Sequence, residues 1–144
     1  MAGLSIAFVI PDLLLMHGWG FLINEGVVSL EFQLKKVYPN TTFRITVEEV
    51  LLDDADVATQ RSLALAQTHD AIVFCGGQMR HICLPVATAY PNVSVMLLGS
   101  AVYPDLPNLL VSFPSDADEL YTLGNLLARM GARKICMQMS MLVP

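Results

Sequence analysis

Short apolar runs rich in β-branched and aromatic residues recur along the chain at Ile6–Ile10, Phe43–Val50, Ala71–Cys75, Val93–Leu98 and Leu109–Phe113. Most are continuously apolar, as strands covered by helices on both faces must be, whereas Phe43–Val50 interleaves Arg44, Thr46 and Glu48 and suits an edge position. Between them the apolar positions fall at helical spacing over Phe21–Val37, Ala55–Thr68, Gln78–Ala89 and Ala117–Met130, and a last apolar piece, Lys134–Met139, offers a sixth strand. Regular alternation of strand and helix is the mark of parallel strands joined by crossover helices. The expected fold class is α/β, a three-layer, doubly wound and mostly parallel sheet of five to six strands.

The punctuation agrees with these boundaries. Tyr38-Pro39-Asn40 and Tyr90-Pro91-Asn92 each close a helix and open a strand, because proline cannot continue the helical ladder and biases its predecessor toward extended geometry. Asp53, Asp54 and Asp56 precede the second helix, and Ser115, Asp116, Asp118 and Glu119 open the fourth. Side-chain oxygens there can cap free amides, and negative charge suits the positive end of the helix dipole. Gly131 stops the fourth helix, with Arg133 and Lys134 near its negative end.

Composition narrows the class of partner. A length of 144 residues is that of one domain, spanning 1–144. Hydrophobic residues make up 54% and charged residues 15%, with a mean hydropathy of +0.55. That excludes disorder and is more apolar than a lone soluble domain requires, so part of the surface is expected to meet a partner. The net charge of −5 leaves no basic stripe for a phosphate backbone, which argues against nucleic acid and anionic membrane. The apolar residues Leu4–Ile10 and Leu13–Met16 are interrupted by Pro11 and Asp12, lack a basic lead and are too short to span a bilayer; no signal peptide is read. Cys75, Cys83 and Cys136 form an odd set best taken as buried core thiols, with Cys83 on a helix facing Cys75.

In a doubly wound sheet, ligands bind outside the carboxyl ends of the strands near the point where strand order reverses. The segments arriving there are Pro11–Gly20, Leu51–Asp54, Gly76–Gln78, Gly99–Tyr103 and Pro114–Asp116. No glycine-spaced turn of the dinucleotide-binding kind and no P-loop lysine follows the first strand. Asp12, Asp53 and Asp54 could suggest the acidic pocket of a phospho-receiver, but Cys75-Gly76-Gly77 stands where its acceptor carboxylate belongs. The spacing of Cys75, His81 and Cys83 matches no zinc pattern, and no nucleophile–base pair can be assembled, so neither catalysis, metal nor cofactor is expected.

What remains is recognition chemistry. Trp19 is the only tryptophan and stands between two glycines in the loop above the first strand. Its ring either stacks on a ligand, with Asp12 or Asn24 supplying polar contacts, or closes the first helix against the sheet. Gly76, Gly77 and Gln78 form a tight strand-to-helix turn whose amides and carboxamide can meet a ligand, or whose glycines serve turn geometry alone. Ser100 and Asp116 are further polar candidates at that edge, each open to a second reading as a turn or cap residue.

The order of these motifs resembles a known family. Ile6–Pro11 followed by His17-Gly18-Trp19 and Asn24-Glu25-Gly26, then Asp70–Phe74 with Gly76-Gly77, Tyr90-Pro91-Asn92-Val93 and Pro107–Val111, is similar to the amino-terminal lobe of the basic membrane protein family of ABC-transporter substrate-binding proteins. The resemblance runs from Leu4 to about Cys136. It implies the type 1 periplasmic-binding fold, flavodoxin-like in each lobe, and a non-enzymatic lobe that binds a small molecule of nucleoside-like type. It further implies an extracytoplasmic or lipid-anchored setting, a membrane transporter or receptor partner, and either a second lobe or a homodimer. By this resemblance Asp12, Trp19, Gly76, Gly77, Gln78, Ser100 and Asp116 would line the site, with Trp19 as the stacking aromatic. Two departures stand out: Gly20 follows the aromatic where the family often has asparagine, and Leu13–Met16 replaces a polar stretch, which makes the pocket greasier. An alternative of another class is a regulatory or interaction module of the same fold that dimerises through its apolar face without a ligand.

Overall fold

The computed structural model describes residues 3–11, 19–100 and 104–112. These belong to a compact unit over Met1–Phe113, distinct from a unit over Pro114–Pro144. The fourth helix, the sixth strand, Cys136, Asp12 and Asp116 lie outside the described residues.

Five strands form one sheet: β1 (Gly3–Pro11), β2 (Thr42–Val50), β3 (Ala71–Cys75), β4 (Ser94–Leu98) and β5 (Leu109–Ser112). All neighbouring strands are parallel, in the order β2-β1-β3-β4-β5. The three helices are α1 (Trp19–Val37), α2 (Ala55–Ala66) and α3 (Arg80–Ala89), the last preceded by a 3-10 turn over Gly77–Met79. The α/β, doubly wound architecture expected from the alternation is therefore the observed one. The alternating strand, β2, stands at an edge of the sheet, where Arg44 and Thr42 reach solvent.

Strand parity sorts the core into two layers. Ala7, Val9, Ile72, Phe74, Val95 and Leu97 point to the face covered by α2 and α3 and pack with Ala58, Ile82, Cys83 and Val86. Their neighbours Phe8, Ile10 and Cys75 point to the opposite face and pack with Val27 and Ile23 of α1. Each fully buried side chain of this size contributes about 1.5–3 kcal/mol, so two such layers account for a sheet apolar on both sides. The same parity corrects one expectation. Cys83 does not face Cys75, because Phe74 already turns toward α3 and the next residue must turn away. Both thiols are buried, and burial pushes each up to about 12, which makes them inert packing groups.

Local chemistry fixes the helix ends. The Asp54 carboxylate caps α2 by accepting from the Val57 amide at 3.1 Å, worth about 1 kcal/mol. Both Tyr-Pro-Asn connections form the same turn, closed by Thr41 N–H donating to Tyr38 O at 3.1 Å and Val93 N–H to Tyr90 O at 3.0 Å. Proline presets the second position of such a turn. Helix α1 begins at Trp19, two residues earlier than expected, so Trp19 belongs to the first turn of a helix rather than to a free loop. Helix α2 ends at Ala66 with Gln67 as its cap, ahead of the expected Thr68.

At the amino-terminal edge of the sheet, the Asp70 carboxylate accepts from the Ser5 amide at 2.7 Å and the Ser5 hydroxyl at 2.6 Å. Those two bonds, with weaker help from the Arg44 and His69 charges, hold its carboxyl below the usual carboxylate range. A carboxyl depressed in the folded state stabilises it above the unfolded value of about 3.9 and loses that contribution as pH falls through the lower folded value. Chemical denaturation of the Asp70→Asn variant is therefore expected to depend less on pH than that of the wild type below about pH 5.

Candidate functional site

The strand order places the site before any side chain is considered. Strand order reverses between β1 and β3: β1 continues through α1 to β2 on one side, and α2 carries the chain back across β1 to β3 on the other. Helices α1 and α3, which follow β1 and β3, pack on opposite faces of the sheet, the arrangement that in doubly wound sheets opens a binding crevice beyond the carboxyl ends of the strands. Register pairs Val9 with Phe74, so the strand ends at Pro11 and Cys75 finish close to level.

The floor on the β3 side is a contact between two glycine turns. Gly76 has φ of 144°, a conformation side chains rarely adopt, and it lets the chain swing from β3 straight into the 3-10 turn. Gly77 needs its missing side chain for another reason: a Cβ there would stand 2.3 Å from the Gly99 carbonyl oxygen and 3.5 Å from Ser100 Cα. Gly99, with φ of 75°, closes the opposite turn. The turns after β3 and β4 therefore pack backbone against backbone, with Ser100 buried beside the contact. Gln78 is exposed, and its carboxamide folds back over Gly76.

Of the residues expected at the site, the structure brings Gly76, Gly77, Gln78 and Ser100 together at the carboxyl edge. Trp19 opens α1, the helix that follows β1, and its side chain lies outside the described residues, as do Asp12 and Asp116. Among the described residues no cluster of three metal-ligating side chains occurs, and no helix is long and apolar enough to cross a membrane. Two open hollows lie elsewhere, one of about 400 Å³ walled by Glu48, Glu49, Leu51 and Arg61, the other at the opposite sheet edge beside Arg44 and Asp70.

One residue that positions this edge has no signature in the sequence. The Asn108 amide group, ahead of β5, lies within 3.0 to 3.1 Å of the carbonyls of Ala87, Tyr90 and Val93. It ties the end of α3 and the turn into β4 to the loop before β5, holding in register the two strands whose far ends carry Ser100 and Ser112. His69, just ahead of β3, acts similarly: its ring nitrogens meet Leu65 O at 3.0 Å and Thr46 Oγ1 at 2.9 Å, pinning the end of α2 to β2.

The chain matches no protein-family profile and no curated protein. Solved structures do share its fold. A candidate lipoprotein fragment from Peptoclostridium difficile 630 superposes with a TM-score of 0.56 at 16% identity, covering 88% of this chain and 98% of the other. An ABC transporter solute-binding protein from Aeropyrum pernix K1 gives 0.65 at 14% identity, over 90% of this chain and 35% of that protein. A sugar ABC transporter structure from Yersinia enterocolitica subsp. enterocolitica 8081 gives 0.54 at 17% identity, over 91% and 37%. The fold is thus that of one lobe of solute-binding proteins, and the chain spans about a third of the length of the last two.

Proposed function

We propose that this chain is a non-enzymatic lobe that holds a small molecule at the carboxyl edge of its sheet, as part of a solute-binding system serving an ABC-type transporter. The observation that carries the reading is the reversal of strand order between β1 and β3, beside glycine turns whose backbones pack directly on one another. Bare backbone at that point gives a ligand close access to amides and carbonyls, and the Gln78 carboxamide adds a polar group free to reorient. Shared fold with solute-binding proteins supports the same reading.

Within this account Trp19 stacks on a flat or apolar part of the ligand, Asp12, Ser100 and Asp116 supply polar contacts, and the resemblance to the basic membrane protein family favours a nucleoside-like compound. One lobe leaves much of such a ligand open, whereas built pockets cover roughly 70–90% of it, so a second lobe or subunit completes the site. The lone tryptophan provides the test. Titrating the protein with nucleosides, nucleobases, sugars and amino acids should give a saturable change in Trp19 fluorescence with one class. At a hundred times the dissociation constant that class should stabilise the fold by about 2.7 kcal/mol. No response to any class, from protein shown to be folded, would remove the ligand-binding reading.

A further inference from the structure

Helix α1 carries two apolar stripes where a single-sided surface helix needs one. The inner stripe, Ile23 and Val27, packs on the sheet. The outer one, Phe21, Val28 and Phe32, faces solvent, with Val28 62% and Phe32 68% exposed. These residues recur at spacings of seven and four and so line one side of the helix, flanked by Glu25 and Lys35. Isolated exposed hydrophobes need no explanation, but a phenylalanine and a valine on adjacent turns, both more than half exposed, form a patch of the kind that marks an interface.

The charges beside the stripe specify its occupant. Val28 and Phe32 lie two residues to either side of position 30, and Glu25 and Lys35 lie five to either side. At a rise of about 1.5 Å per residue, two α1 helices packed antiparallel about a two-fold axis at position 30 set Val28 against Phe32 and Glu25 against Lys35, each pair made twice. A register centred on Val28 instead would oppose Glu25 to Glu31. Lys35 already meets Glu31 of its own helix at 2.6 Å, a solvent-exposed pair of small worth that leaves the ammonium able to turn outward. We infer that a second copy of this chain docks on the outer face of α1, antiparallel, with Val28 and Phe32 as its core and reciprocal Glu25–Lys35 ion pairs at its rim.

The inference stands apart from the ligand reading, since the stripe faces away from the sheet. Its test is the mass of the full chain in solution across the micromolar range, by sedimentation or light scattering. The wild type should show a concentration-dependent dimer. Phe32→Glu, at an exposed position that the fold does not use, should raise the dimer dissociation constant by roughly a hundredfold or more. Glu25→Lys and Lys35→Glu should each weaken the dimer, and the double exchange should restore it, because only reciprocal pairing recovers complementarity. A monomer at every concentration overturns the inference. So does a dimer indifferent to Phe32→Glu, or one in which the double exchange is no better than the single ones while circular dichroism shows every variant folded.

Discussion

Replacing Gly77 by valine should lower the stability of the protein by about 1–3 kcal/mol, the usual cost of forcing carbon into a packed site, and should abolish small-molecule binding. Even the first added carbon meets the Gly99 carbonyl oxygen at 2.3 Å, and that oxygen belongs to a backbone already turned through a positive φ. Nothing there yields as a side-chain tip would, so the turns after β3 and β4 must separate. Gly76 offers a contrast: the nearest group that a carbon on it meets is the Gln78 carboxamide, which can swing away, and the backbone penalty there comes from its φ of 144°. Denaturant midpoints and Trp19 fluorescence measured on the Gly77→Val variant check both effects. Wild-type stability with unchanged ligand response would show that the contact between the two turns is dispensable.

The second large effect is expected at Asn108. Asn108→Leu removes the amide shared by the carbonyls of Ala87, Tyr90 and Val93; Tyr90 O keeps the Val93 amide, and the loss of the shared donor at the other two costs about 1–3 kcal/mol. Asn108→Asp should cost at least as much near neutral pH, because it sets a carboxylate against three carbonyl oxygens. Surrounded by acceptors, that carboxyl should titrate above the usual value. A group whose folded value is raised stabilises only when protonated, so the Asp variant should gain on the Leu variant as pH falls, seen as converging denaturation midpoints. Equal midpoints at all pH values would mean that the amide does not hold the loop.

Much of the architecture was legible because it rests on periodicity and local chemistry. Continuous apolar runs mark strands that helices cover on both faces, and the interleaved polar residues of Phe43–Val50 mark the edge. The proline turns at Tyr38 and Tyr90 and the Asp54 cap act within a few residues of themselves. Contacts that depend on distant partners were not legible. Gly77 reads as turn geometry, yet its constraint comes from Gly99, in a turn that the chain reaches only after α3 and β4. Asn108 reads as an ordinary residue after a proline, although it serves three carbonyls at the end of α3 and beyond. The expectation that Cys83 faces Cys75 failed because helix facing was inferred without counting strand parity from Phe74. At the candidate site the sequence named the glycine turn, Gln78 and Ser100, and the structure assembles them. It could not show that two turns there support one another.

If the carboxyl edge at the β1/β3 reversal is where this chain meets a small molecule, a bound compound must protect the backbone amides there. Amide hydrogen exchange tests it most directly, run with and without whichever panel compound changes Trp19 fluorescence most. Slowed exchange is expected at Gly76–Met79 and at Gly99 and Ser100, with the amino-terminal edge around Ser5 and Asp70 unchanged. Protection confined to that opposite edge, or none at the glycine turns, would contradict it.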